Sequence, residues 1–338
     1  MARQPTMMDV ARAAGVSTAA VSYHLSGRAE LVKRVGPEAR NRIEHAIANL
    51  GYVQNKTARH LRRQRTERIC VLLPELGNPF ADKIARDVDN VAQSRGYTTV
   101  VTIGADFDAR RQILREVEAG LTDAVVASVD GCSTAEINDL FAPLVRANRP
   151  CLVIHPTADP KGISVVNHDR VGGLRAALAH VLDRQHHTIA YCANGDGTLS
   201  DPRMALVRTF ATAHRDRVAE PILFGGAESR PGAVEVARRL VAMSPRPTVV
   251  LSESDFSAVA MINEFQRSGL RVPDDIAVIG CGNAEEGVFC APRLTTIGPT
   301  EVSLTRETRY LIDVVEERVE ERWRRFVVPW QLYVRESG

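Results

Sequence analysis

The 338-residue chain is 44% hydrophobic and 25% charged, ordinary globular composition with room for a small domain and a large one. No run approaches the roughly 20 apolar residues of a membrane span and the N-terminus lacks the apolar stretch of a signal peptide, so we expect a cytoplasmic protein with no membrane partner. The formal net charge of +2 hides an asymmetry: residues 1–68 hold 13 Lys+Arg against 5 Asp+Glu, and the remainder 30 against 36. A basic head on an acidic body suits a polyanionic partner, or is a solvated basic surface; charge alone does not separate the two.

Thr6 is a good N-cap, and Asp9 three residues on completes a capping-box pattern. The spacing predicts a helix from Met7 to about Ala14, with Met7, Val10 and Ala11 facing a core. Gly15 supplies a turn and Ser17 caps a second helix, in which Ala20, Val21 and Leu25 face inward. Ala11, Ala14 and Ala20 are small enough for the close, steep crossing of a helix-turn-helix. The outward face of the second helix is then Thr18, Ala19, Ser22, Tyr23 and His24. Thr18, Ala19 and Tyr23 would lie near base edges, while Ser17 and Ser22 are the right size to bond phosphates; with Thr6 these form the candidate DNA-binding set of the head.

Residues 26–36 show no periodicity and read as a polar connection. Pro37 at a first-turn position opens a further helix to Leu50, with Ile43, Ala46, Ile47 and Leu50 as its apolar stripe and Gly51 as its stop. The segment that follows carries Asn55, Ala58, Arg59, Leu61 and Arg62. It has too little apolar surface to fold alone, so a helix here needs a partner and DNA. Leu61 stands among basic residues, as an apolar wedge for a minor groove would; packing on the larger domain is the other reading.

Taken together, Asp9-Val10-Ala11, Ala14-Gly15-Val16-Ser17, Val21-Ser22, Gly36-Pro37-Glu38-Ala39-Arg40, Leu50-Gly51-Tyr52, Asn55 and Ala58-Arg59-His60-Leu61 resemble the head of the lactose-repressor (LacI) family of bacterial transcription regulators. The resemblance implies a homodimer with two heads on the half-sites of palindromic double-stranded DNA, and paired hinge helices whose leucines, Leu61 here, pry open the central base step. Three departures stand out. Tyr23 occupies a position where the family usually has Arg, Ala20 one where it has Thr, and the connection from Arg28 to Val35 is longer than the family norm.

Beyond Glu67, strand-like runs alternate with helical stretches: Ile69–Leu73, Thr98–Ile103, Ala124–Ala127, Cys151–Ile154, Ile189–Ala193, Thr248–Leu251 and Ile276–Ile279, with helices such as Asp82–Arg95 and Val171–Leu182 between them. Such alternation predicts parallel, doubly wound sheets, and about 270 residues suit two lobes. The resemblance continues through Asn78-Pro79-Phe80, through the stretch from Arg271 to Gly280, and through Pro292-Arg293-Leu294-Thr295-Thr296-Ile297. It implies the fold of periplasmic sugar-binding proteins: two lobes, three crossovers, and a ligand cleft at the carboxyl ends of the strands. The fold class is thus an all-α helix-turn-helix head (1–54), a hinge helix and linker (55–66), and an α/β two-lobed periplasmic-binding-protein-like body (67–338) for effector binding and dimerisation.

The candidate effector residues are Phe80, as a stacking surface, and His155, Arg203, Asp255 and Asn283. Leu206 stands where sugar- or purine-binding members place an Arg, the usual Asn-Asp pair reads Ser254-Asp255, and Gly280-Cys281-Gly282-Asn283 lacks the expected acid. Three alternatives stay open: the cleft takes a small molecule poorer in hydroxyls and not clearly a sugar, it serves mainly dimerisation, or it keeps an ordinary sugar.

The six cysteines form no CxxC pair and read as buried reduced thiols rather than disulfides or zinc ligands. Gly280-Cys281-Gly282 misses the GxGxxG spacing, no P-loop or GxSxG occurs, and His186-His187 lacks a helical partner at metal-ligand spacing. No catalytic constellation, cofactor or metal site is expected, and the charged stretch Val314–Phe326 reads as a body helix. The resulting expectation is a dimeric DNA-binding regulator of the repressor type; the competing class is a solute-binding protein with a vestigial head.

Overall fold

A computed structural model of the chain describes residues 5–26, 29–52, 65–129, 131–194 and 202–338. The chain divides into two compact units, Met1–Thr66 and Glu67–Gly338.

In the first unit, α1 (Met7–Ala14) opens on a capping box. Thr6 Oγ1 accepts the Asp9 amide at 3.3 Å, and the Asp9 carboxylate accepts the Thr6 amide at 2.9 Å. Gly15 closes the helix at φ 62°, a left-handed cap that favours glycine. α2 (Thr18–His24) starts at Ser17, whose Oγ accepts the Ala20 amide at 3.1 Å. α3 (Ala29–Val32) is a single short helix inside the stretch expected to be a plain connection; four residues are too few to show a repeat. α4 (Pro37–Leu50) has Pro37 in its first turn and ends at left-handed Gly51. Val10, Val21 and Ile43 are fully buried where these helices meet. Each contributes about 1.5–3 kcal/mol on burial, enough to hold elements too short to be stable alone.

The second unit holds two six-stranded sheets. The first contains β1 (Arg68–Leu73), β2 (Thr98–Ile103), β3 (Ala124–Ser128), β4 (Cys151–Ile154), β5 (Ser164–His168) and β11 (Arg325–Val328), ordered β11-β5-β4-β3-β1-β2 and parallel throughout. The second contains β6 (Ile189–Cys192), β7 (Ile222–Phe224), β8 (Val249–Ser252), β9 (Ala277–Cys281), β10 (Thr295–Gly298) and β12 (Gln331–Tyr333), ordered β12-β10-β9-β8-β6-β7, with only β12 antiparallel. Alternate side chains of one strand enter different cores. Ile69, Val71 and Leu73 pack under α5 (Pro79–Ser94) and α13 (Thr305–Val315), while Cys70 and Leu72 pack under α6 (Phe107–Glu118) and α7 (Thr134–Arg146). In the second lobe, α8 (Arg170–Asp183) and α9 (Pro202–Ala213) cover one face, and α10 (Arg230–Val241) and α11 (Asp255–Arg267) the other; α12 (Glu286–Phe289) follows β9. Burial on both faces is why these strands read as unbroken apolar runs.

The chain passes between lobes three times: from β5 into α8, from β10 into α13, and from β11 into β12. All three passages leave from strand carboxyl ends, the side on which open α/β sheets bind ligands. One expectation fails: Val314–Phe326 is not a helix. α13 stops at Val315, Glu317 turns left-handed at φ 59°, and the chain re-extends so that Phe326 enters the first core from a strand paired with β5. The charged residues that suggested a helical face are turn residues.

Candidate nucleic-acid interface and ligand cleft

In the head, the Ser17 cap and the left-handed turn at Gly15 fix where α2 begins. Ser17, Thr18 and Ala19 are exposed and Ser22 is half-buried. Tyr23 and His24, expected on the outward face, are a correction. Tyr23 is half-buried and packs against the head core. The His24 side chain is only 14% exposed, with Nε2 3.5 Å from Glu44 Oε1 on α4. The reason is helical spacing: Tyr23 and His24 lie three and four residues beyond Ala20, on the flank of the stripe that buries Val21. Thr6 is held by its capping box, its hydroxyl donating to Asp9 Oδ2 at 2.6 Å. Arg12, Lys33, Arg34 and Arg42 are exposed cations of this unit. Asn55, Ala58, Arg59, Leu61 and Arg62 lie outside the described residues.

In the body, an aromatic cluster forms at the crossovers. Phe80, just inside α5, meets His168 at the end of β5 edge-on at 5.5 Å. His168 Nδ1 accepts Trp330 Nε1–H at 3.1 Å, and Arg170 lies 5.8 Å from the Trp330 ring. Asn78 caps α5 through the Phe80 amide at 3.0 Å and so sets where Phe80 stands.

A second group lines a small recess at the carboxyl ends of β6, β8 and β9, among them Tyr191, Arg203, Glu253 and Cys281. The Glu253 carboxylate is 2% exposed and well provided with donors. Tyr191 Oη donates at 2.6 Å, the Asn194 amide at 2.8 Å, and Arg203 Nη2 lies at 3.1 Å. Three donors make ionisation tolerable in a site that would otherwise expel a charge. Burial pushes the Cys281 thiol up to about 12, against the pull of Arg203 and Arg170.

The remaining expected effector residues hold the fold. His155 Nδ1 accepts the Thr157 and Ala158 amides at 3.1 and 2.8 Å, so that nitrogen carries no proton. Asp255 is 2% exposed; Oδ1 accepts the Thr296 hydroxyl and Oδ2 the Ala284 amide, both at 2.5 Å. Burial raises its carboxyl to about 6, opposed by those two donors. Asn283, left-handed at φ 53°, donates to Pro299 O at 3.0 Å and accepts Arg335 Nη2 at 2.7 Å. Phe80 therefore joins the crossover cluster and Arg203 the recess, while His155, Asp255 and Asn283 brace loops.

Two family models match the chain: bacterial regulatory proteins, lacI family, over residues 6–55, and periplasmic binding protein-like domain over residues 178–338. The chain belongs to the LacI family. Its sequence is 28% identical over 325 residues to the HTH-type transcriptional repressor PurR of Aliivibrio fischeri (strain MJ11), covering 94% of this chain and 92% of that protein. It is 27% identical to the HTH-type transcriptional regulator CelR of Thermobifida fusca, covering 99% of both. By structure it is similar to the lac repressor dimer bound to operator and an anti-inducer, with TM-score 0.81, 21% identity and 99% of each chain covered. These relatives are transcriptional regulators. Among the described residues no helix is long and apolar enough to cross a membrane, and no group of three or more His, Cys, Asp or Glu could hold a metal ion.

For this LacI-family chain, sequence reading missed Tyr191, Glu253, His168 and Trp330. Glu253 and Tyr191 sit 62 positions apart and Trp330 and His168 162 apart; only strand order brings them together. A signal was available in part, since a Glu ending the apolar run of β8 must find donors.

Proposed function

We propose that this protein is a transcriptional repressor that binds palindromic double-stranded DNA as a homodimer, with residues 1–54 as the DNA-binding head, 55–66 as hinge and 67–338 as effector and dimerisation body. α2 enters the major groove with Thr18 and Ala19 at base edges. Ser17, Ser22 and Thr6 stand at the phosphates, and Asn55, Ala58, Arg59, Leu61 and Arg62 at the hinge, with Leu61 in the minor groove. The observation that carries this reading is the capped α1–turn–α2 unit, which exposes Ser17, Thr18 and Ala19 within the segment matched by the lacI model. A small-molecule effector belongs at the crossover side of the body. There, Phe80, His168, Trp330 and Arg203 flank the passages between lobes, and a ligand favouring one lobe arrangement shifts hinge ordering.

The test is to incubate the purified chain with sheared genomic DNA and sequence what stays bound. A single enriched palindrome supports the reading. Its affinity should fall about 10³- to 10⁵-fold between 50 and 200 mM salt if six to ten phosphates are contacted. Retention no better than random fragments overturns it.

A further inference from the structure

We infer that α2 reads thymine methyl groups, with Ala19 and Thr18 as the specificity-determining residues; this rests on the operator-binding role proposed above and supplies its base chemistry. The whole of α2 reads Thr-Ala-Ala-Val-Ser-Tyr-His. It holds no Arg or Lys to span guanine O6 and N7, no Asn or Gln to span adenine N6 and N7, and no carboxylate to accept from cytosine N4. Its two long side chains are spoken for, Tyr23 by the head core and His24 by burial beside Glu44. What α2 presents outward is the Ala19 methyl, the Thr18 methyl and hydroxyl, and the Ser17 hydroxyl.

Among the four bases only thymine offers a matching group, its C5 methyl, beside an O4 that accepts a hydroxyl proton. Val21 buries the opposite side of the helix, so Thr18 and Ala19 are fixed on the exposed side rather than free to exchange with longer neighbours. Readout by methyl contact is weak per base. Burying one methyl is worth about 0.8 kcal/mol, close to a fourfold change in affinity. α2 therefore grades thymine-containing half-sites and leaves steep discrimination to the rest of the contact surface.

The experiment enriches duplexes from a random-sequence pool with the full chain. Each thymine of the enriched sequence is then replaced by deoxyuridine, symmetrically in both half-sites, which deletes the methyl and keeps the base pair. Expected are one or two positions at which affinity falls about fourfold per half-site, roughly fifteenfold for the symmetric pair. At those positions 5-methylcytosine should bind better than cytosine. Thr18→Ser and Ala19→Gly should each erase the thymine–deoxyuridine difference at one position. Thr18→Ser leaves the helix intact even if glycine weakens it. Enriched duplexes indifferent to deoxyuridine at every position overturn the inference and leave operator binding standing. A pool that yields no enriched sequence overturns both.

Discussion

Trp330 Nε1 donates to His168 Nδ1 at 3.1 Å and so ties the last passage between lobes to the end of the strand from which the first departs. The bond is enclosed: Trp330 is 8% exposed, Phe80 stands edge-on to His168, and α8 runs beneath. A β-carbon at Gly173 would come within 3.0 Å of Trp330 Cβ. Trp330→Phe keeps most of the ring and deletes the donor. Urea unfolding should show a loss of about 1 kcal/mol with an unchanged m-value, whereas Trp330→Ala should cost about 3–5 kcal/mol. Equal losses for the two would show that the indole N–H contributes nothing.

The two tryptophans sit in opposite environments, Trp323 53% exposed and Trp330 buried. Trp323→Phe should remove the solvent-quenchable share of the fluorescence and leave a blue-shifted emission resistant to acrylamide. A compound entering at the crossovers should then perturb that single reporter. Emission that stays red-shifted and quenchable in Trp323→Phe would mean that Trp330 is solvated.

Tyr191 Oη and Arg203 both serve a carboxylate that is almost wholly out of water. Tyr191→Phe leaves one Glu253 oxygen short of its donor, and denaturant unfolding should register a loss of about 1.5–3 kcal/mol. Tyr191→Phe combined with Glu253→Gln should lose less than the sum of the two single changes, because the second removes the charge that needed the donor. Strict additivity would show that the two groups are not energetically coupled.

Asp255 binds its proton more tightly in the folded chain, at about 6, than the ordinary value of 3.8. Over that interval the native state holds more protons than the unfolded one, so the contribution of Asp255 to stability declines as pH rises from about 4 to 6. It is constant on either side. Wild type minus Asp255→Asn, measured by denaturant titration, should fall by about 3 kcal/mol across the window. A difference that rises with pH would reverse the assignment.

Legibility followed the distance over which each feature is decided. The capping box of α1, the stops at Gly15 and Gly51, and the apolar runs of β1, β3 and β4 are fixed by neighbours a few positions away, and they lie where the sequence placed them. β5 and β7 were passed over because Val165 and Leu223 earn strand geometry only from partners far along the chain. The same cause lies behind the site. Asp255 and Asn283 look like cleft polar groups in sequence, yet both reach Thr296, a residue no local pattern links to either. Tyr23 misled for a smaller reason: in a seven-residue helix one residue of rotation separates the reading face from the packed one.

The triple passage between lobes also governs how the chain can be made and cut. The first lobe lacks α13 and β11 until residues 305–328 have been synthesised, and the second lacks its antiparallel edge until β12 follows them. Neither lobe is a contiguous stretch that a ribosome finishes early or that a truncation liberates. A premature stop anywhere before residue 325 leaves both sheets one strand short, with a flank of β5 and a flank of β10 unpaired and open to adventitious strand addition. The head helices, by contrast, are complete after about fifty residues. Nonsense alleles across the last third should therefore behave alike, as aggregating species, rather than as a graded series.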